Sequence, residues 1–255
     1  MKTGIEIQKE FLRATGCAIL TKVVTTIVVL EGTDGIVLAS DSREASLDGF
    51  YNDNSKQKLH KLSDNLGLLT SGEATLPITL IEQLKKKIND EPILKKNVTQ
   101  TAEQFRQILL NAYTQWFQIG IVNNPIKPDI LFILTGYDVF PTSKEKKTYN
   151  LWSGMNFVPQ PQIVGYATGG QYITARAIIS RLYSRDKNIE DLTKLAVYAI
   201  TESARTNLWV GGNVRVLRLK DNGTEEPLSD TDIKAIITRN KRKGKNIEET
   251  FYEEE

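Results

Sequence analysis

Cysteine and histidine are almost absent from this sequence, which has one of each in 255 residues. A single cysteine, Cys17, excludes a disulfide framework and any metal site built from several cysteines. A histidine-based zinc site or a Ser-His-Asp triad would have to rely on His60 alone. No cofactor motif is evident either, so we expect chemistry that needs neither a metal nor a cofactor.

The sequence also lacks a strong charge imbalance and a long apolar run. Lys and Arg number 33 against 31 Asp and Glu, a net charge of +2, which does not predict a nucleic acid or a membrane as partner. No stretch reaches the roughly 18 apolar residues of a membrane span. Charged residues interrupt residues 1–24, which argues against a signal peptide. We therefore expect a cytoplasmic protein.

The sequence does contain globular composition and a clear order of elements. Thr25 to Leu30 and Ile36 to Ala39 flank an Asp-Gly turn and predict a β-hairpin. A second strand pair is predicted at 57–71, followed by helices at 76–88 and 101–118. Next come strands at 129–137, 147–153 and 162–167. Helices at 171–183 and from 188, and a strand at 213–220, complete the order. Thr101 and Gln104 are predicted to form a capping box. This order predicts an α+β fold, a four-layer αββα sandwich.

Several short motifs occur at informative spacing. Thr25 and Thr26 open the first strand, and Ala39-Ser40-Asp41-Ser42-Arg43 ends the second. Lys58-Leu59, Ser71-Gly72, Gly165 to Gly170 and Gly211-Gly212 follow. Together they resemble proteasome β-type subunits, within the N-terminal nucleophile (Ntn) hydrolase threonine peptidases. The resemblance covers about residues 25–220, and the bacterial ATP-dependent threonine proteases share its beginning.

The resemblance implies a catalytic set. Thr25 corresponds to the nucleophile, with its free α-amine as base. Asp41 follows 16 positions later, the family's spacing for its acidic residue, whereas counting from Thr26 would give 15. Lys58 corresponds to the lysine that lowers the pKa of the hydroxyl, and Gly72 to the glycine whose N–H binds the oxyanion. His60 is predicted to share the Lys58 face of its strand.

Four positions depart from the family pattern. The family's serine, aspartate and serine near the threonine amine correspond here to Gly170, Asn207 and Val210. Asn207 can accept a hydrogen bond but has no charge. Val24, where glycine is usual, precedes the expected cleavage point. These departures leave three functions open: a threonine-type endopeptidase subunit, a catalytically silent ring subunit, and an Ntn amidohydrolase of small amides.

The expected organisation follows from the same resemblance. Residues 1–24 form an N-terminal extension or propeptide, residues 25–220 the Ntn-hydrolase domain, and residues 221–255 a C-terminal extension with a charged tail. Expected partners are unfolded polypeptide substrate, further copies or related subunits in a ring of six or more, and an ATP-dependent unfoldase. The resemblance also predicts a side-chain pocket that includes Glu44, Lys56, Thr70 and Ala74.

Overall fold

The computed structural model describes residues 25–45, 52–72, 75–120, 129–170, 172–224 and 227–252. Within them are twelve strands: β1 (Thr26–Glu31), β2 (Gly35–Ser40), β3 (Glu44–Ala45), β4 (Asn52–Asp53), β5 (Leu59–Ser63), β6 (Leu66–Gly72), β7 (Ile130–Val139), β8 (Lys144–Trp152), β9 (Gln160–Pro161), β10 (Tyr166–Gly170), β11 (Arg215–Lys220) and β12 (Gly223–Thr224). Five α-helices accompany them: α1 (Thr75–Asp90), α2 (Val98–Gly120), α3 (Ile173–Leu182), α4 (Ile189–Thr206) and α5 (Asp230–Tyr252). None of these helices is long and apolar enough to cross a membrane.

Ten of the strands form two antiparallel five-stranded sheets. The first has the order β10-β1-β2-β11-β12 and the second the order β5-β6-β7-β8-β9. The predicted hairpin is confirmed, because β1 and β2 pair directly and Gly32 N–H donates to Gly35 O at 2.8 Å. Asp34 in this turn accepts from Ile189 N at 2.8 Å and so ties the hairpin to the start of α4.

Three apolar clusters hold the layers together. One packs α1 and α2 on the second sheet, another packs α3, α4 and α5 on the first sheet, and the third fills the space between the sheets. Both faces of β1 are therefore buried, which explains its apolar run from Ile27 to Leu30. The predicted four-layer αββα sandwich is confirmed.

The start of α2 differs from the prediction. The helix begins at Val98, and Asn97 Oδ1 accepts from Gln100 N at 2.8 Å, so Asn97 provides the cap. The predicted capping box is wrong because Thr101 lies inside the first turns, where its hydroxyl donates to Leu94 O and Asn97 O. By contrast, Asn188 caps α4 at the predicted position.

Two further segments differ. The strand predicted at 162–167 begins instead at Tyr166, after the two-residue β9, because Gly165 turns the chain at φ +81°. The predicted C-terminal extension contains the 23-residue helix α5, which continues into the expected charged tail. Ile233 is buried against the first sheet's helical layer, so the segment after residue 220 contributes to the core.

Candidate active site

Thr25 lies immediately before β1, at one edge of the space between the two sheets. It is fully buried, and its hydroxyl oxygen has no hydrogen-bond partner among the described residues. β1 is central in its sheet, between β10 and β2, so neighbours on both sides determine the position of Thr25. A buried hydroxyl without a partner is costly in a core and is typical of a group that meets a ligand.

Asp41 follows β2 and binds the start of β1. Its Oδ1 accepts from Thr26 N at 3.0 Å, and its Oδ2 accepts from Gly211 N at 3.0 Å and Arg43 N at 3.3 Å. Asp41 N in turn donates to Thr26 O at 3.2 Å. The buried carboxylate therefore fixes the backbone next to Thr25 and connects it to the loop before β11.

Lys58 comes from the other sheet, one residue before β5. Its Nζ donates to Asp41 Oδ1 at 3.0 Å and also to Arg43 O. The side chain is almost completely buried, and this burial lowers the pKa of the Lys58 ammonium, an effect that the neighbouring Asp41 carboxylate opposes. An ammonium in this setting is a compact positive charge directed at the first sheet.

Gly72 ends β6 in a conformation that requires glycine. Its φ is +109°, and a Cβ at this position would lie 2.0 Å from Asp129 O. Thr25, Lys58 and Gly72 line one cavity of about 190 Å³, which His60, Ser71 and Glu44 also line. Three of the predicted site residues therefore meet at one cavity, and Asp41 lies directly behind it through its bonds to Thr26 and Lys58.

The rim of this cavity is charged. Glu44 is buried and forms an ion pair with Lys56, with Nζ and Oε2 2.8 Å apart. Glu44, Lys56 and Thr70 line the cavity, as predicted for the side-chain pocket. Ala74, the fourth residue of that prediction, lies outside the described residues.

Asn207 is not among the residues that line this cavity. It ends α4, where its Oδ1 accepts from Trp209 N at 2.9 Å and its carbonyl accepts from Val210 N at 3.1 Å. This turn leads directly to Gly211, whose N–H binds Asp41. Asn207 is thus joined to the site through the loop backbone, and Val210 is fully buried beside it.

Ser71 and His60 also line the cavity, although the sequence motifs assign no role to either. In the sequence, Ser71 stands out only as the neighbour of Gly72, yet in the structure it faces the first sheet. Leu69 packs between the sheets and Leu68 packs on the helices, so strand alternation places Ser71 on the inter-sheet face. His60 is buried, and its Nε2 has no hydrogen-bond partner among the described residues.

Comparisons with known proteins agree with this fold. A family model described as "Proteasome subunit" matches residues 22–124. The proteasome subunit beta 2 of Pyrococcus abyssi is 24% identical over 220 residues, which cover 84% of this chain and 94% of that protein. The proteasome subunit beta 2 of Hyperthermus butylicus is 28% identical over 195 residues, covering 76% and 83% respectively.

Solved structures show the same architecture. Anbu, described as an ancestral beta-subunit, from Yersinia bercovieri superposes with a TM-score of 0.73 at 18% identity. A Gly-1 mutant of Anbu from Hyphomicrobium sp. strain MC1 superposes with a TM-score of 0.69 at 16% identity. Each alignment covers 91% of this chain and 98% of the other. At this identity the structural similarity shows the fold.

Proposed function

We propose that this chain, which belongs to the proteasome β-type family, is a threonine-type endopeptidase subunit that hydrolyses unfolded polypeptides inside a ring. One observation carries the proposal. A buried carboxylate, Asp41, binds both the Thr26 backbone N–H and the Lys58 ammonium, and the Thr25 hydroxyl at the adjoining cavity has no partner among the described residues. A purely structural threonine would be expected to have its hydroxyl paired.

The proposed reaction begins with the release of residues 1–24, which gives Thr25 a free α-amine. The Thr25 hydroxyl attacks the scissile carbonyl carbon, and its proton passes to that amine, whose reference pKa is near 8. The Gly72 N–H stabilises the oxyanion. Collapse breaks the C–N bond as the amine returns the proton to the leaving group, and water then hydrolyses the threonine ester.

Lys58 and Asp41 prepare the nucleophile in this proposal. The Lys58 ammonium lowers the pKa of the hydroxyl because a nearby positive charge favours developing alkoxide character. Asp41 opposes the lowering of the Lys58 pKa by burial, forms an ion pair with the ammonium and fixes the β1 backbone. Asn207 has a positioning role, since its turn presents the Gly211 N–H to Asp41.

Several variants test the chemistry in the full-length chain. Intact mass should show loss of residues 1–24, and the processed protein should degrade an unfolded casein-like substrate. Thr25→Ala should abolish this activity, whereas Thr25→Ser should keep part of it. Lys58→Ala should lower it strongly, whereas Lys61→Ala, which removes the next lysine along the chain, should not. Parental activity in Thr25→Ala would exclude Thr25 as nucleophile.

A catalytically silent ring subunit is the second candidate. It is favoured by Gly170 and Val210, which have no hydroxyl where the family has serines, and by Val24 before the expected cleavage point. This candidate predicts a chain that assembles but retains residues 1–24 and never degrades casein. Native mass should give a ring of six or more subunits for either candidate, whereas a monomer at micromolar concentration would contradict both.

A further inference from the structure

The end of β10, which lies against the Thr25 backbone, has no side chain. Gly170 pairs with Thr26 across β1 and β10, and its φ of +74° is in the left-handed region. A Cβ on Gly170 would lie 1.8 Å from Thr25 O and 2.7 Å from Thr25 C. No side chain at position 170 can therefore reach Thr25 without moving the backbone of one strand.

A hydroxyl from the other sheet points into the same small space. The oxygen of Ser71 would be 2.8 Å from that hypothetical Cβ, so Ser71 Oγ and the Thr25 carbonyl lie within 3 Å of one point. Ser71 is buried, lines the cavity with Thr25, and precedes Gly72 on β6. The absence of a side chain at Gly170 is what gives the Ser71 hydroxyl access to this position.

Asp41 and Lys58, the two charged residues of the predicted catalytic set, are already engaged. Asp41 accepts from three backbone N–H groups and from Lys58, and Lys58 also donates to Arg43 O. A serine hydroxyl can donate one hydrogen bond and accept others at the same time. Ser71 can therefore assist proton movement at Thr25 without changing its own net protonation.

We propose that Ser71 is a positioning residue for the Thr25 amine and supplies the hydroxyl that Gly170 cannot. Its oxygen accepts a hydrogen bond from the α-amine of released Thr25, which orients the nitrogen lone pair towards the threonine hydroxyl. The inference rests on the proposed function. As the hydroxyl attacks, its proton moves to the amine, and the resulting ammonium donates more strongly to Ser71.

The test compares Ser71→Ala and Ser71→Thr in the full-length chain after processing. If self-processing is incomplete, a factor Xa sequence in place of residues 21–24 releases Thr25 after folding. Ser71→Ala should lower kcat on the order of 10²-fold with little change in KM, because a misoriented base costs about that much. Ser71→Thr, which keeps the hydroxyl, should recover most of the loss.

The pH profile separates this role from a merely structural one. The hydrogen bond to Ser71 favours the charged ammonium, so its loss should move the acidic limb of kcat/KM lower by about one pH unit. Ser63→Ala is the matched control. Ser63 is the last residue of β5, and its hydroxyl donates to Lys95 O at 2.9 Å. This control should keep the parental profile.

The failures can be distinguished. If Ser71→Ala keeps the parental kcat and the acidic limb of its kcat/KM profile does not shift, the role of Ser71 is wrong and the proposed function remains intact. If released Thr25 protein is inactive, the proposed function fails, and the amine pKa can still be measured from its rate of acetylation against pH. An equal amine pKa in the parent and Ser71→Ala would then refute the hydrogen bond, whereas a lower one in the variant would support it.

Discussion

The buried His60 should make the stability of this protein depend on pH. Burial, together with the nearby Lys85 charge, lowers the pKa of the imidazole from 6.5 to about 4, while Glu82 opposes the shift. His60 lies on β5 and faces α1, which carries both of these charged residues. It is the sole histidine of the chain, so its titration is not mixed with that of others.

The sign follows from the two pKa values. Between pH 6.5 and pH 4 the unfolded chain binds a proton that the native protein does not, so stability falls as the pH falls through this window. The complete difference is about 3 kcal/mol, of which about 2 kcal/mol is lost between pH 7 and pH 5. For a chain of this length, that corresponds to a decrease in Tm of roughly 4–8 °C.

The assay is thermal unfolding at pH 7 and pH 5 at one protein concentration. His60→Gln should remove most of the decrease between the two conditions, because glutamine does not titrate. Lys61→Gln, at the next strand position, should retain it. A parental decrease in Tm that persists unchanged in His60→Gln would show that the imidazole is not buried in its neutral form, and the account of β5 against α1 would be wrong.

Three further predictions concern packing and the buried ion pair. Asp41→Asn should destabilise the protein by about 3–5 kcal/mol in urea unfolding, because it leaves a buried ammonium without its charge partner; a loss below 1 kcal/mol would contradict this. Gly170→Ser should lower Tm much more than Gly223→Ala, since both have positive φ but only Gly170 faces a backbone clash, and equal losses would argue against that clash. Tyr137→Phe should cost about 1–3 kcal/mol, because Leu219 O and Asp221 lose a buried donor; unchanged stability would mean that water replaces it.

Local sequence was informative where local physics decides. The Asp-Gly turn at Asp34 and the cap at Asn188 are present as predicted, because each depends on residues within a few positions. Thr101 shows the limit of this approach. Its spacing to Gln104 satisfies the capping-box pattern, but Asn97 already caps the helix, four residues before the Thr101 cap that the motif predicts.

The site also combines features that the sequence predicts with features that depend on the tertiary structure. Sequence spacing and family resemblance were sufficient to select Thr25, Asp41, Lys58 and Gly72, and three of them line one cavity with Asp41 directly behind it. Asn207 was selected in the same way but lies outside that cavity, with its side chain bound to its own turn. Correspondence in sequence identifies a position, whereas the contacts of its side chain depend on the backbone around it.

Apolar patterns in the sequence are enough to predict the layers, because alternating and helical spacing decide which faces must be buried. Tertiary structure alone decided how the two sheets meet at Thr25. Gly170 approaches the carbonyl of Thr25, which lies 145 positions earlier in the chain, and the Ser71 hydroxyl reaches the same space from the other sheet. Such contacts arise from packing two sheets against each other, and no local pattern in either strand encodes the distance between them.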